Sequence, residues 1–334
     1  MKIWREPEGA LPNGLAIGYA VLGQVGGWVL LVQPHPLPFL LGIVLTAHAL
    51  IIAAYLVHEC AHATLFAARD LNRRVGELML WLTGSAYASF ARVQHLHIRH
   101  HADRADVSLF DYRAFLQHKS AWVRRLVLAL EWAYVPAVEL IMHGQVMLRP
   151  FFEPKLAGYR KRVLVVLATR LVLFAVLGYF SMWALLGFAV AYLAFLKGLF
   201  LADAFAHTYP EYFVNDPDQP VPKDDRDKAY DVEHTFSNLL STSWRWANLW
   251  NLNFGYHTAH HERASVPWYR LPRTHAEVFG DSHVQVLPFT ELWRCVHRHR
   301  TKRVFGVDYG DVGSGPGRAD GFAGVLGVNF LTIV

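Results

Sequence analysis

Residues 38–62 read P-F-L-L-G-I-V-L-T-A-H-A-L-I-I-A-A-Y-L-V-H-E-C-A-H, an apolar run that ends in a histidine pair. Pro38–Val57 contains no charged residue, and a helix of about 20 residues at about 1.5 Å per residue crosses the core of a bilayer. His58 and His62 follow at once and are four residues apart, so a helix presents them on one face. These residues therefore predict a membrane span with imidazole groups at its end.

Three more segments pass the same length test, and the four segments form two close pairs. The predicted spans are Leu15–Pro34, Pro38–Val57, Val163–Phe180 and Trp183–Leu201. Only His35–Leu37 and Ser181–Met182 separate the partners within each pair, and turns this short join antiparallel helices. We therefore predict an all-α integral membrane fold of two transmembrane helical hairpins, with a helical cap formed by the residues outside the spans.

The distribution of basic residues predicts the orientation of these spans. Residues 58–162 contain fifteen Lys and Arg, whereas the two short turns contain none. Because basic residues accumulate in cytoplasmic loops, both termini and residues 58–162 and 202–305 are expected in the cytoplasm. The chain is then a multi-pass membrane protein with a cytoplasmic cap, located in the plasma membrane if its source is a bacterium.

The composition supports the membrane interpretation and argues against several other classes. Hydrophobic residues make up 53% of the 334 residues and charged residues only 18%, which argues against an ordinary soluble domain and against disorder. The net charge of +5 is not concentrated in a stripe, so no nucleic-acid partner is expected. The two cysteines, Cys60 and Cys295, are too few for a disulfide scaffold and fit thiols in a reducing compartment.

Two shorter apolar stretches are not counted as spans. Leu78–Phe90 is too short to cross a membrane and is predicted to be an interfacial or buried helix. Leu126–Leu148 is long enough, but Glu131, Glu139 and His143 place a polar stripe on one helical face, which favours a helix along the membrane surface. A fifth span in this stretch is the alternative, and it would put the histidine clusters on opposite sides of the membrane.

We predict that residues 1–305 form a single domain. Residues 306–334 contain eight Gly and little hydrophobic periodicity, so this tail is expected to be poorly ordered and without catalytic residues. The sequence contains no internal repeat, phosphate-binding glycine loop or paired-cysteine zinc motif.

Eight of the 19 His fall in three clusters. They are H-E-C-A-H with His58 and His62, H-L-H-I-R-H-H with His97, His100 and His101, and H-T-A-H-H with His257, His260 and His261. The HxxHH pattern occurs twice, although chance predicts it about 0.06 times in a chain of this composition. Because residues three and four apart share a helical face, each cluster can offer two or three imidazoles to one point.

Convergent imidazoles indicate a metal site, since imidazole binds Zn, Cu, Fe and Ni. A tetrahedral zinc takes four ligands, so eight histidines are better explained by two metals of higher coordination number. His207, in D-A-F-A-H directly after the fourth span, is a ninth candidate, and Asp203 lies one helical turn before it. His234, in V-E-H-T-F-S-N, is the best candidate for a residue that supports the ligands.

Three other classes compete with this interpretation. H-E-C-A-H fits the HExxH motif of zinc metalloproteases, with Glu59 as the base, but a protease leaves both HxxHH clusters unexplained. A multi-histidine metal transporter would place its ligands within the spans rather than beyond them. A bis-histidine haem protein would show a strong Soret absorption band.

The three clusters, with N-F-G-Y before and V-P-W-Y-R-L-P after the third, resemble the histidine boxes of the membrane fatty acid desaturase superfamily, over about Ala47–His275. The resemblance implies a non-haem diiron centre. The implied ligands are His58, His62, His97, His100, His101, His257, His260 and His261, with His207 as a further ligand. Acyl-CoA desaturases have Asn where this chain has Asp203. We predict that Asp203 takes part in catalysis, either by binding iron directly or through water, or by orienting a ligand histidine.

The resemblance also implies the reaction. We expect an O2-dependent fatty acyl desaturase that inserts a double bond, with two Fe as cofactor, O2 as co-substrate and an acyl chain or other apolar lipid as substrate. Hydroxylation or ketolation of a lipid, carotenoid or other apolar substrate by the same centre is the alternative. The sequence has no H-P-G-G haem motif, so the electron donor is expected to be a separate protein of ferredoxin, rubredoxin or cytochrome b5 type.

Overall fold

The computed structural model describes residues 2–108, 110–209, 212–214, 226–280, 285–307, 309–312 and 318–326. The chain divides into two compact units. Of the described residues, unit 1 contains those up to Gln94 together with Val146–Gly198, and unit 2 contains His95–Gln145 together with those from Leu199 to Leu326. That residues 1–305 form a single domain stays a prediction.

Helices dominate the part of the chain that the structure describes. They are α1 Ala10–Leu31, α2 Pro36–Ala61, α3 Arg69–Thr83, α4 Phe90–Asp103, α5 Tyr112–Gln117, α6 Ala121–Trp132, α7 Ala137–Phe152, α8 Arg160–Phe180, α9 Met182–Asp203, α10 Lys228–Glu233, α11 His257–Glu262, α12 Leu271–Val278 and α13 Phe289–His299. Two short parallel strand pairs join β1 Asp106–Ser108 to β2 Tyr212–Val214 and β3 Ser237–Leu239 to β4 Val286–Pro288.

Four helices are long and apolar enough to cross a membrane, which confirms the prediction of an all-α fold with four candidate spans. With their 3-10 extensions they are Pro7–Leu31, Pro36–Ala61, Pro154–Phe180 and Met182–Asp203. The second helix ends four residues later than predicted, because no Gly or Pro follows Val57 to stop it. His58 therefore lies within the last turn of α2.

In unit 1, α1 and α2 pack closely because small residues line their contact. A Cβ on Gly27 would lie 2.3 Å from Thr46 Oγ1, and a Cβ on Gly42 would lie 2.8 Å from the main-chain nitrogen of Leu31. Small residues let membrane helices approach each other, and van der Waals packing then holds the helices together. Leu31 also lies in an apolar cluster with side chains from α8 and α9.

This contact predicts opposite effects for two glycines of the same helix. We expect Gly27→Ala to lower the free energy of unfolding by about 1–3 kcal/mol, because the methyl group would clash with Thr46. Gly18 is the matched control, since no atom would lie within 4 Å of its Cβ, and alanine favours a helix over glycine by about 1 kcal/mol. Thermal unfolding in one lipid mixture measures both, and a Gly27→Ala variant as stable as Gly18→Ala would contradict the packing.

The stretch predicted as one helix over residues 126–148 is divided by a bend of 120° between α6 and α7. Tyr134 stands at the bend with a left-handed φ of 65°. Glu131, Glu139 and His143 are buried, so the polar stripe faces the protein interior. By length and composition, the described residues contain four spans, or five if this bent pair is one span. Within Leu78–Phe90, α3 ends at Thr83.

Part of the tail after Gly306 packs against unit 2 where the structure describes it, and the predicted poor order of residues 306–334 stays a prediction. Ala319, Phe322, Val325 and Leu326 are buried in the apolar core of unit 2, because they are the apolar residues of an otherwise polar and glycine-rich segment. Phe322 packs edge to face on Phe205 with ring centroids 5.1 Å apart. Residues 308, 313–317 and 327–334 lie outside the described residues.

Candidate metal centre

Seven of the nine candidate histidine ligands lie in unit 2, and there they form two groups. In the first group, which we call the quartet, the ligand nitrogens lie within 4.8 Å of one another. The quartet consists of His100, His207, His257 and His261. His257 Nε2 lies 3.0 Å from His207 Nε2.

The second group within unit 2, which we call the trio, contains His97, His101 and His260. His101 Nε2 lies 3.3 Å from His97 Nε2 and 3.1 Å from His260 Nε2. His97 and His260 are buried, and His101 is partly exposed. The trio therefore presents three imidazole nitrogens to one small volume.

Two helices supply six of these seven ligands, and each divides its histidines between the groups. On α4, His97 and His101 belong to the trio, and His100 belongs to the quartet. On α11, the first and last histidines belong to the quartet, and His260 belongs to the trio. Each HxxHH cluster thus brings two imidazoles, those at i and i+4, to one group, within the predicted two or three, and its remaining histidine belongs to the other group. Residues at i and i+4 share a face, whereas the residue at i+3 lies on one side of that face.

The remaining ligand, His207, is held in an extended segment after α9. Thr208 N–H donates to His234 O at 2.9 Å, and Phe236 N–H donates to Ala206 O at 2.8 Å. These two hydrogen bonds fix the main chain on both sides of His207. Tyr209 then stacks on the His207 ring with centroids 4.5 Å apart.

The third box is fixed against β3. Asn238 N–H donates to Gly255 O at 2.8 Å, and the Thr258 and Ser237 hydroxyls lie 2.7 Å apart. A Cβ at Gly255 would lie 2.4 Å from Asn238 O, so only glycine permits this approach of the two segments. The start of α11, and with it His257, is positioned by these contacts.

His58 and His62 belong to unit 1. His58 lies in the last turn of α2 and His62 is the residue that caps this helix, and their ring centroids are 4.9 Å apart. Glu59, the base of the metalloprotease alternative, accepts a hydrogen bond from Thr64 Oγ1 at 2.6 Å and lies 3.4 Å from His58 Nδ1.

The chemistry of both groups in unit 2 fits metal ions. When two nitrogens each bind the same metal ion at about 2.1 Å, with an N–metal–N angle between a right angle and the tetrahedral angle, they lie about 3.0–3.4 Å apart. The separations of 3.0, 3.1 and 3.3 Å between Nε2 atoms agree with this. His261 Nε2 is buried and has no hydrogen-bond partner among the described residues, as expected for an atom reserved for a metal. An all-imidazole donor set suits Fe, Zn, Cu or Ni.

Asp231 of α10 connects two of the quartet ligands to the surrounding protein. Its Oδ1 lies 3.2 Å from His261 Nδ1 and accepts the Tyr209 O–H at 2.7 Å. Its main-chain oxygen accepts the Thr235 hydroxyl at 2.6 Å, and that hydroxyl lies 3.3 Å from His207 Nδ1. Partners at Nδ1 set the ring orientation and direct Nε2 towards a metal.

Sequence reasoning identified the V-E-H-T-F-S-N stretch but favoured His234 for this contact, and it did not extend to Asp231, which lies just before the stretch. The His234 ring contacts the main-chain oxygen of Tyr230 at 2.8 Å, whereas the supporting side chains are Asp231 and Thr235. An Asp four residues before a Thr is a common pattern, so the spacing alone does not mark these residues as supporting the ligands. Only the proximity of this segment to His207 in the fold does so. His100 has similar support, from Ala105 O at 3.0 Å and Asp106 Oδ1 at 3.6 Å.

Within the quartet, burial and neighbouring groups favour the neutral form of His100 and His207, which is the form that binds a metal. Burial, together with the neighbouring His261, lowers the pKa of His100 to about 4. Burial and three neighbouring histidines hold the pKa of His207 well below its usual range. Burial acts to raise the pKa of Asp231, but hydrogen bonding to His261 and its charge outweigh burial and lower that pKa to about 2. Asp231 is thus an anion at neutral pH.

These pKa shifts predict how acid releases a bound metal. An imidazole binds a metal only when it is neutral, and a lowered pKa keeps it neutral to a lower pH. We expect bound Co2+, followed by its visible absorption, to be retained from pH 7.5 to about 6 and released between about 6 and 4. A release midpoint at or above the ordinary histidine pKa of about 6.5 would contradict the prediction. A chelator at pH 7.5 gives the spectrum of the fully released state.

Asp203, predicted to take part in catalysis, ends α9 but belongs to neither histidine group among the described residues. Its Oδ2 is buried and has no hydrogen-bond partner in the part of the chain that the structure describes. Its catalytic role stays a prediction.

The fold and the site define a class of protein: a helical membrane protein with histidine groups able to hold metal ions. The family model for fatty acid desaturase matches residues 34–293, and the chain belongs to that family. No curated protein matches the chain.

Proposed function

We propose that the chain is an O2-dependent fatty acyl desaturase with a non-haem diiron centre. The observation that carries the proposal is the division of both HxxHH boxes between two adjacent histidine groups. One short helix places His260 in the trio and its neighbours in the quartet, which suits two metal ions close together better than one. Family membership over residues 34–293 supports the same reaction class.

The chain's own residues bind, orient and shield the centre in this proposal. When bound, two iron ions would supply the O2 activation needed to oxidise an unactivated C–H bond. The quartet would hold one ion and the trio the other, and the family's arrangement supports His58 and His62 as further ligands. Asp231 and Thr235 orient the quartet, and burial of most of these side chains excludes water.

We further propose the surroundings of the site. The basic residues of the predicted loops support a cytoplasmic site and cytoplasmic termini. Electrons then arrive from a separate carrier of ferredoxin, rubredoxin or cytochrome b5 type, and the apolar acyl chain arrives from the bilayer.

Asp203 has a testable place in this proposal. Its buried Oδ2 has no hydrogen-bond partner among the described residues, and Asp203 precedes His207 by four residues in the sequence, so a ligand or water is a candidate donor to this oxygen. We expect Asp203→Ala to lower turnover by about tenfold or more, and Asp203→Asn to restore part of it because the amide keeps an oxygen acceptor. Asp320→Asn is the control, since that exposed side chain pairs with Arg298. Normal turnover in Asp203→Ala would refute the role.

Product analysis tests the reaction itself. The full chain is expressed with a ferredoxin and its reductase, and the lipids are analysed by mass spectrometry with and without O2. A new double bond in an acyl chain supports desaturation. A new hydroxyl or keto group would instead establish the alternative, hydroxylation or ketolation. The absence of any oxidised product from iron-loaded protein would overturn the whole proposal.

A further inference from the structure

A cluster of exposed tryptophans lies between β3 and the third histidine box. The segment Trp244–Trp250, which we call the tryptophan segment, contains a 3-10 helix that begins at Arg245. Trp244 and Trp246 are 66% and 69% exposed, and Leu249 and Trp250 are 48% and 49% exposed. The Trp244 and Trp246 rings stack with centroids 6.0 Å apart. Four large apolar side chains thus project from seven consecutive residues.

The exposure is not that of a loose loop, because the inner side of the segment is fixed. Asn248 is buried, and its Nδ2 donates to Ser241 O at 2.8 Å. Asn253 N–H donates to Asn248 O at 2.8 Å, and Asn253 Nδ2 donates to Trp268 O at 3.2 Å. The main chain is therefore held by polar side chains that point inwards, while the tryptophans point outwards.

The turn that follows is conformationally unfavourable. Leu252 and Asn253 adopt left-handed φ angles of 48° and 56°, a region that a leucine rarely occupies. Such a conformation persists only where the surrounding structure holds it in place, and it often marks a functional feature. Here Leu252 ends the 3-10 helix of the tryptophan segment, and His257 of the quartet follows five residues later.

The charge of the segment indicates what covers it. Residues 237–256 contain one charged residue, Arg245, and no acidic residue. Exposed loops are normally polar, whereas tryptophan is enriched where the acyl chains of a bilayer meet its headgroups. An acidic protein partner would meet only one cation here. Large apolar side chains with a single Arg match the boundary of a bilayer, where Arg can approach lipid phosphates.

We propose that the tryptophan segment inserts into the headgroup boundary of the bilayer and anchors unit 2 to the membrane surface. This anchor goes beyond the proposed reaction and does not depend on it. It adds a lipid contact outside the four candidate spans, in the segment that leads directly into the third histidine box.

Spin labelling of the full chain in nanodiscs of phosphatidylcholine and phosphatidylglycerol tests the anchor. A nitroxide is attached at Trp246→Cys or Leu249→Cys, and Glu277→Cys of α12 is the control because that side chain is 49% exposed. Cys60 and Cys295 are buried, and the labelled unsubstituted chain measures their background. Collision rates with O2, which concentrates in lipid, and with the water-soluble Ni(II)-EDDA complex are compared at each site.

We expect the ratio of O2 to Ni(II)-EDDA collisions to be about threefold or more higher at positions 246 and 249 than at 277. A ratio equal to that at 277 would place the segment in water. Low collision rates with both reagents would show that protein covers it, and either outcome would overturn the proposal. If either substitution prevents folding, Ser243→Cys keeps all three tryptophans and gives the same comparison.

Discussion

Replacing His257 with alanine is expected to lower turnover by about a thousandfold or more and to remove about one of two metal ions per chain. His257 Nε2 lies 3.0 Å from His207 Nε2, so the substitution takes away one of the four imidazoles of the quartet. The trio keeps its three ligands, and its ion is expected to remain. Metal content by elemental analysis and turnover with a reduced carrier measure the two effects independently.

Two control histidines separate this effect from a general loss of structure. His275 is buried and its Nδ1 lies 3.4 Å from Thr258 Oγ1, but it belongs to neither group among the described residues. His275→Ala should destabilise the fold and keep both ions. His118 is exposed, and His118→Ala should change neither property. A His257→Ala variant that kept normal turnover and both ions would refute the assignment of the quartet.

The reciprocal substitution distinguishes two sites from one. His260→Ala removes a ligand of the trio and should leave the quartet's ion in place. If His257→Ala and His260→Ala each removed all bound metal, the two groups would act as one cooperative site. The division of the α11 histidines between quartet and trio would then have no separate chemical meaning.

The parts of this site that depend on local spacing could be predicted from the sequence. Span lengths follow from runs such as Pro38–Val57, because a bilayer requires about 20 apolar residues in any context. The histidine boxes were evident for a similar reason, since residues three and four apart share a helical face. Even so, the separation of His260 from its neighbours was missed, because it depends on which helix packs on each side of α11.

Other features depend on contacts between segments that are distant in sequence. Asp231 supports His261 and, through Thr235, His207, but nothing in the spacing of these residues indicates that they meet. The bend at Tyr134 was missed because the apolar length of the run was considered and Pro136, a helix-breaking residue directly after the bend, was not. Phe322 lies in a glycine-rich tail whose composition suggested little order, yet its ring fills the space beside Phe205.

Replacing Asp231 with asparagine is expected to weaken metal binding at the quartet by about 10- to 100-fold. The carboxylate lies beside His261 Nδ1 at 3.2 Å and accepts the Tyr209 hydroxyl at 2.7 Å. An amide has no negative charge, and one of its two polar atoms can only donate. The His261 ring therefore keeps at most a neutral, weaker acceptor at Nδ1, which orients the ring and supports its Nε2 less strongly. Titration with Co2+, followed by visible absorption, measures the change in affinity.

Asp227 of the same short helix is the matched control for this substitution. Its side chain accepts the Tyr230 N–H at the start of α10 at 2.9 Å, and asparagine caps a helix as well as aspartate does. Asp227→Asn should therefore leave both metal affinity and stability unchanged. For Asp231, the unfolding temperature of the metal-free protein distinguishes a role in positioning His261 from a role in stabilising the fold. A lower unfolding temperature with unchanged Co2+ affinity would show that Asp231 stabilises the fold and does not position His261. If Asp231 positions His261, Asp231→Asn should bind Co2+ more weakly than Asp227→Asn does, while the two variants unfold at similar temperatures. The reason is that the orientation of the His261 ring affects metal binding without affecting the contacts that hold α10 in place.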